Sequence, residues 1–360
     1  MKDPINHLLP FMPDYVQNLE MSLARKYSQI THLVGFKSGE EGKTMGLASY
    51  GKSLIDYTDL NYNDLNFSLT YGDMIREIFA LQSLSGYSFK DFLEKRKADI
   101  ASTVQVYTEK ALISIVKAFI RKYSCKNICL SGGIFLNCLA NHKIYEQCDV
   151  NNVFILPASG DDGQALGSAY YSYIQQYGWK QSFHITLPYL GLSYTDIDIE
   201  KTIHSKNLKY QKYDDISLAK QIAFYIKENK IVAFHRGRTE IGPRALCHRS
   251  ILANPTNPAM KDILNERVKH REEFRPFAPT VVAEDQYKYF DLKCSSDYML
   301  FATTVKEKYR SSLASITHID GTARIQSVSL EQEPFIHMLL EEIKKLTGFP
   351  IVLNTSFNVA

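Results

Sequence analysis

The chain has 360 residues, 45% hydrophobic and 22% charged, which is typical of a globular protein long enough to form two cores. Its 42 lysines and arginines nearly balance 39 aspartates and glutamates, which argues against a nucleic-acid-binding protein. We find no signal peptide and no apolar run of the roughly 20 residues that cross a bilayer, so we expect a cytoplasmic protein without nucleic-acid or membrane partners. The six cysteines form no C-x-x-C pair and are expected to be reduced, buried thiols.

The first half of the chain predicts alternating helices and strands. Apolar residues recur with helical spacing from Ile100 to Ile120. Short apolar strands at Ile128–Leu130 and Val153–Leu156 each lead into a glycine-containing turn, and a helix follows from about Gln164 to Tyr177. This order predicts an α/β fold around a sheet.

The second half begins where this periodicity is lost, between Gly178 and Pro188. We place a domain boundary near residue 185, which divides the chain into residues 1–185 and 186–360. Beyond it the pattern predicts a helix over Ile216–Lys227 and a strand over Ile231–Phe234.

Two glycine turns at strand ends are candidate ligand-binding loops. Ser131–Gly133 allows backbone N–H groups to approach a phosphate, and Gly160–Gly163 adds two carboxylates that could bind a hard or borderline cation. Each also has a structural interpretation, as a tight turn or a helix cap. Because the two turns follow neighbouring strands, together they favour a nucleotide site.

Three arginine-bearing segments in the second half predict an anion site. The stretch from His235 to Arg249 holds four arginines, interleaved with apolar residues that would pack rather than face solvent. Lys269–Pro279 and His318–Gln326 also carry arginines and histidines. Each segment is compatible with a salt-bridged loop, but three in one predicted domain favour a pocket for a densely anionic ligand.

In their order along the chain these segments resemble the NodU/TobZ carbamoyltransferase family, from about Ser22 to the last residue. The matching blocks are Glu41–Gly51, Leu130–Asn137, Gly160–Gly163, Gly237–Leu246, Phe274–Pro279, His318–Arg324 and Asn354–Asn358. The resemblance implies an α/β protein in which the second lobe of an actin-like (ASKHA) domain is followed by a YrdC-like α/β domain.

The resemblance also implies an O-carbamoyltransferase. Such an enzyme forms carbamoyl-adenylate from carbamoyl phosphate and ATP, and transfers the carbamoyl group to a hydroxyl of a sugar or natural product. The implied roles are catalysis by Arg275, Arg324 and His318; phosphate binding by Arg238, Arg244 and Arg249; nucleotide binding by Ser131, Gly132, Gly133, Asn137 and Gly160; and ligation of a divalent metal, iron or magnesium, by Asp161.

The sequence departs from the family pattern in several places. Cys247 stands where the family usually has glycine, and His235 where glutamine is common. The family's first actin-like lobe, with a pair of metal-binding histidines, has no match, and His7 is the only histidine among residues 1–21. Since the family also continues beyond Ala360, we expect a chain shortened at both ends, with a separate or upstream first lobe as a partner.

Two other functions stay open at this point. One is a non-catalytic remnant that binds ATP, which the unmatched lobe favours. The other is a threonylcarbamoyl or metallocentre-maturation relative, because those families share both folds. The small net charge of +3 and the closeness of the motifs to the NodU/TobZ type count against the latter.

Overall fold

A computed structural model describes residues 22–57, 71–179 and 188–358. The chain forms two compact units, one made of Met1–Asn127 with Lys143–Asn151 and the other of Ile128–His142 with Asn152–Ala360. The boundary predicted near residue 185 lies outside the described residues and stays a prediction. His7, the only histidine among residues 1–21, lies outside them as well.

The first unit is helical in the residues that the structure describes. The helix predicted over Ile100–Ile120 is confirmed as part of a longer helix, in which Ile100 and Val104 are buried. None of the helices in the described ranges is long and apolar enough to span a bilayer. The helices are α1 (Leu23–Leu33), α2 (Glu41–Ala48), α3 (Tyr71–Ser85) and α4 (Phe89–Tyr123).

The next part of the chain alternates strands and helices, as predicted. β1 (Asn127–Leu130) and β2 (Asn152–Ile155) pair in a two-stranded sheet, and α5 (Cys138–Gln147) lies between them in the chain. A 3-10 turn follows each strand, at Gly133–Leu136 and Asp161–Gly163. The second turn continues into α6 (Gln164–Tyr177), which has the predicted bounds.

A mixed five-stranded sheet lies in the second unit. Its order is β3-β4-β9-β5-β8, in which β5 and β8 are parallel and the other neighbours antiparallel. β6 and β7 form a separate antiparallel pair. The strands are β3 (Val232–His235), β4 (Arg249–Ala253), β5 (Ala278–Val282), β6 (Ala302–Thr304), β7 (Thr322–Arg324), β8 (Gln326–Val328) and β9 (Ile351–Ser356).

Two amphipathic helices cover this sheet and complete its core. α8 and α12 pack on each other and bury Ile226 and Leu339 with the strand residues Leu252 and Val352. The helix and strand predicted over residues 216–227 and 231–234 are confirmed as α8 and β3. The helices of this half are α7 (Asp196–Ser205), α8 (Asp215–Lys227), α9 (Met260–Leu264), α10 (Gln286–Tyr289), α11 (Glu307–Arg310) and α12 (Pro334–Thr347), and a π-helix, Asn265–Lys269, continues α9.

The fold class is confirmed at the level of a mixed α/β protein, whereas the ASKHA and YrdC-like assignments stay predictions. The expectation about cysteines needs a correction. Cys138, Cys148 and Cys247 are buried, but Cys125 and Cys129 are exposed and Cys294 is half-buried. Cys129 lies on the exposed face of β1, where alternate side chains point to opposite sides, and Cys125 precedes the strand.

Candidate functional site

The two glycine turns lie against each other in the second unit. The amide of Gly132 donates to the carbonyl of Ser159 at 2.8 Å, and Gly132 adopts a φ of +117° that favours glycine. A Cβ atom on Gly160 would stand 3.9 Å from the Cα of Gly133. The backbone of both turns is therefore close enough to bind one ligand.

The polar residues of these turns also have local structural roles. Asn137 precedes α5, and its Oδ1 accepts from the amide of Ala140 at 3.0 Å, as a helix cap does. Asp161 is exposed, and its Oδ1 accepts from Gln164 Nε2 at 3.0 Å. Ser131 leads from β1 into the turn. The predicted nucleotide-binding role of Ser131 and Asn137 stays a prediction.

Asp161 alone does not complete a metal site. In residues 22–57, 71–179 and 188–358, no group of three or more histidine, cysteine, aspartate or glutamate side chains could hold a metal ion. Asp161 and the neighbouring Asp162 offer two carboxylates, and Mg²⁺ is commonly held by one or two carboxylates together with water and substrate phosphates. The predicted role of Asp161 as a ligand of a divalent metal therefore stays a prediction.

The loop between β3 and β4 packs directly onto the glycine turns. A Cβ atom on Gly242 would lie 2.4 Å from the carbonyl oxygen of Pro157, just after β2. Two residues later, Arg244 Nη2 donates at 2.9 Å to the carbonyl of Leu136, the last residue of the 3-10 turn that follows β1. One arginine predicted to bind phosphate thus lies beside the turns predicted to bind nucleotide.

A single carboxylate fixes the shape of this loop. Glu240 Oε1 accepts from the backbone amides of Leu246, His248 and Arg249 at 2.8, 2.9 and 3.1 Å. Cys247 lies within this arrangement at a φ of +69°, which explains why glycine suits this position. Its buried thiol contacts Thr280 at 3.4 Å, and burial raises its pKa to about 12, so the thiol stays protonated.

The other two arginines predicted to bind phosphate, Arg238 and Arg249, have surroundings that differ from those of Arg244. Arg238 is exposed, and its Nε and Nη2 donate to the carbonyls of Gly191 and Leu190 at 2.9 and 3.1 Å. The side chain of Arg249 projects into solvent from the start of β4. These positions make both residues less direct candidates than Arg244, and their predicted roles stay untested.

The remaining arginines gather next to Arg244. Arg324 interacts electrostatically with Arg244 and Arg275 and contacts the Cys138 side chain, at the start of α5. Arg271 is close enough to Arg275 and Arg324 for each to lower its pKa. We call Arg244, Arg271, Arg275 and Arg324, together with Lys269, the cationic cluster.

Lys269 and its partners are site residues to which the sequence analysis assigned no role. Its ammonium group donates to Ser356 Oγ at 3.2 Å and to the Asn358 carbonyl and Oδ1 at 3.0 and 2.8 Å. Burial, with Arg271 and Arg275 nearby, lowers the pKa of Lys269 to about 8. The sequence did carry a signal for them. Lys269 begins one of the three arginine-bearing segments, and Asn354–Asn358 is one of the blocks that match the family.

The cationic cluster has more positive charge than its protein partners neutralise. Burial first, then Arg324, lowers the pKa of Arg244 to about 9, so Arg244 still carries its charge at neutral pH. The Nε atoms of Arg244 and Arg324 are buried without a hydrogen-bond partner. Among the ion pairs of the described residues, this cluster takes part in one, Arg275 with Glu272 at 3.9 Å. Such a site favours a multiply charged anion.

His318 borders the cluster as a neutral imidazole. Burial lowers its pKa from 6.5 to about 4; Arg324 acts in the same direction and Asp320 opposes it. Its Nδ1 lies 3.2 Å from Thr322 Oγ1. At neutral pH His318 can therefore accept or donate a hydrogen bond but adds no charge.

The His318 pKa predicts a loss of stability in acid. Between pH 7 and pH 5 the unfolded chain protonates this imidazole and the folded chain does not, so the free energy of unfolding should fall by about 2 kcal/mol. Thermal unfolding at both pH values measures the change, and His318→Asn should remove this part of it. An unchanged pH dependence in His318→Asn would contradict the assignment.

Comparison with known families accounts for both halves of the chain. Residues 3–170 match the family described as Carbamoyltransferase N-terminus, and residues 223–360 match Carbamoyltransferase C-terminus. The match begins earlier than the predicted start near Ser22. The cationic cluster lies within the second range, and the glycine turns lie within the first.

Several longer proteins are similar to almost the whole chain. An uncharacterized protein of Synechocystis sp. is 34% identical over 390 residues, which cover 96% of this chain and 63% of that protein. The nodulation protein NolO of Bradyrhizobium diazoefficiens is 31% identical, covering 94% and 63%, and NolNO of Sinorhizobium fredii is 30% identical, covering 94% and 51%. This chain thus spans between half and two thirds of the length of these relatives. The protein belongs to the NodU-type carbamoyltransferase family of transferases.

Proposed function

We propose that the protein takes part in ATP-dependent carbamoyl transfer, with carbamoyl phosphate as the carbamoyl donor. The observation that carries the proposal is the cationic cluster, in which two buried arginine Nε atoms lack a partner. Carbamoyl phosphate and ATP together bring a large negative charge, which fixed cations must offset before one anion can attack another. This chain spans between half and two thirds of the length of these relatives, so the carbamoyl-transfer activity as a whole belongs to the proposal.

We assign a binding role to each group of residues according to its position. Arg244, Arg275 and Arg324 would hold the phosphoryl oxygens, since planar guanidinium groups match their geometry. Lys269 and Arg271 would hold the donor next to Ser356 and Asn358. The Ser131–Gly133 and Gly160–Gly163 turns would receive the nucleotide, whose phosphates suit backbone N–H groups.

The proposed reaction balances with water as a co-reactant. Water hydrolyses carbamoyl phosphate to carbamate and inorganic phosphate, and a carbamate oxygen attacks the α-phosphorus of ATP. The bond to pyrophosphate breaks, leaving carbamoyl-adenylate. A hydroxyl of the acceptor then attacks the carbamoyl carbon, AMP leaves, and the hydroxyl proton passes to a base or solvent. The acceptor class that we propose is a sugar or another hydroxyl-bearing natural product.

A direct assay separates this function from a non-catalytic ATP-binding remnant. The protein, incubated with ATP and carbamoyl phosphate together with Mg²⁺ or Fe²⁺, should release pyrophosphate only when both substrates are present. Isothermal titration with each substrate shows whether each one binds. Binding of ATP without carbamoyl phosphate binding and without pyrophosphate release would support the remnant and overturn the proposal.

A further inference from the structure

The buried side chain of Asn265 connects Arg271 and Arg275, two arginines in the segment that follows the π-helix. Asn265, the first residue of that helix, is 1% exposed. Its Oδ1 accepts from Arg271 Nε at 2.7 Å, and its Nδ2 donates to the carbonyl of Arg275 at 3.1 Å. Its side-chain bonds therefore link the guanidinium of one cluster arginine to the backbone of another.

The backbone of Asn265 strengthens this link. The amides of His270 and Arg271 both donate to its carbonyl, the second at 3.1 Å, and His270 turns the chain at a φ of +45°. π-helices occur often at functional sites. Here the extra residue of the π turn places a side chain and a carbonyl of Asn265 on the same arginine.

The rest of Arg271 is held as well, so its orientation is well defined. Its Nη2 donates to the carbonyl of Pro276 at 3.3 Å, and its guanidinium lies 4.6 Å from the centre of the Phe277 ring. Arg271, Arg275 and Arg324 repel one another, as their effect on the Arg271 pKa shows. Without a fixed partner, like charges that act on each other in this way would turn apart.

We propose that Asn265 is a positioning residue that holds Arg271 and Arg275 in the geometry that binds the carbamoyl donor, an inference that rests on the proposed function of the cationic cluster. Its role differs from that of a core residue, because its side-chain bonds end on the arginine-bearing segment. Loss of the amide leaves the cluster's charge unchanged but removes the bond to Arg271 Nε, so that only the Pro276 carbonyl and the Phe277 ring hold this guanidinium.

A double-mutant cycle tests this. We would measure carbamoyl phosphate and inorganic phosphate affinity by isothermal titration for the wild type, Asn265→Ala, Arg271→Ala and the double variant. We expect each single variant to lose affinity by about tenfold or more, and the double variant to lose clearly less than the two single losses combined, since coupled residues are not additive. Asn265→Ser replaces the alanine variant if that one fails to fold.

Asn254→Ala is the matched control. Asn254 is also a buried asparagine, but its side chain bonds to Asn229 and Thr256. We expect it to lower the melting temperature without changing anion affinity. Additive losses in the cycle, or equal losses from Asn254→Ala, would overturn the positioning role. If the wild type binds phosphate but not carbamoyl phosphate, the donor assignment fails while the phosphate cycle still decides the role of Asn265. Failure to bind either anion overturns both.

Discussion

Replacing Arg324 by alanine should reduce carbamoyl-phosphate-dependent pyrophosphate release by roughly two to three orders of magnitude. Arg324 interacts electrostatically with both Arg244 and Arg275, and its buried Nε has no hydrogen-bond partner among the described residues. Removing one fixed donor from a site of developing negative charge costs on the order of 3–4 kcal/mol of transition-state stabilisation. The ratio of kcat/KM between the wild type and Arg324→Ala measures this cost.

Two further variants make this experiment specific. Arg275→Ala should show a loss of similar size, because Arg275 belongs to the same cluster. Arg236→Ala is the matched control: its guanidinium binds both carboxylate oxygens of Asp215, at 3.2 and 2.8 Å, and so has its own counter-charge. Wild-type rates in Arg324→Ala, or an equal loss in Arg236→Ala, would remove the catalytic role proposed for the cluster.

Local pattern predicted several helices and strands but not how distant segments meet. The spacing of apolar residues predicted α4, α6 and α8 because it reflects which side of a helix is buried. The closeness of the two glycine turns could also be predicted, since each turn follows a strand of the same strand–helix–strand segment. The contact between Arg244 and Leu136 joins positions 108 residues apart, and no local signal specifies it.

The same limit explains what the sequence analysis missed in the site. Lys269 contacts Ser356 and Asn358, which lie 87 and 89 residues further along the chain. Local sequence therefore could not predict this contact. Charge and residue type pointed to the arginines of this half of the chain as candidates for anion binding, a role that stays a prediction. They could not distinguish Arg244, which reaches the glycine turns, from Arg249, whose side chain leaves β4 toward solvent.

Gly242→Ala is expected to destabilise the second unit by about 2–5 kcal/mol and to weaken carbamoyl phosphate binding. Gly242 has a φ of +83°, and an added Cβ would lie 2.4 Å from the carbonyl oxygen of Pro157. The strained backbone costs roughly 1–2 kcal/mol, and overpacking adds about 1–3 kcal/mol. The loop must move to relieve this contact, which would shift Arg244 away from Leu136. Thermal unfolding and isothermal titration measure the two effects.

Gly348→Ala separates the backbone strain from the contact. Gly348 also has a φ of +83°, but no heavy atom lies within 4 Å of its added Cβ. It should therefore show the backbone cost alone, roughly 1–2 kcal/mol, with unchanged affinity for carbamoyl phosphate. The difference between the two variants then reports how tightly the arginine-bearing loop packs on the turn after β2. If Gly242→Ala is no more destabilising than Gly348→Ala and binds carbamoyl phosphate normally, the close packing that places Arg244 beside the glycine turns is wrong.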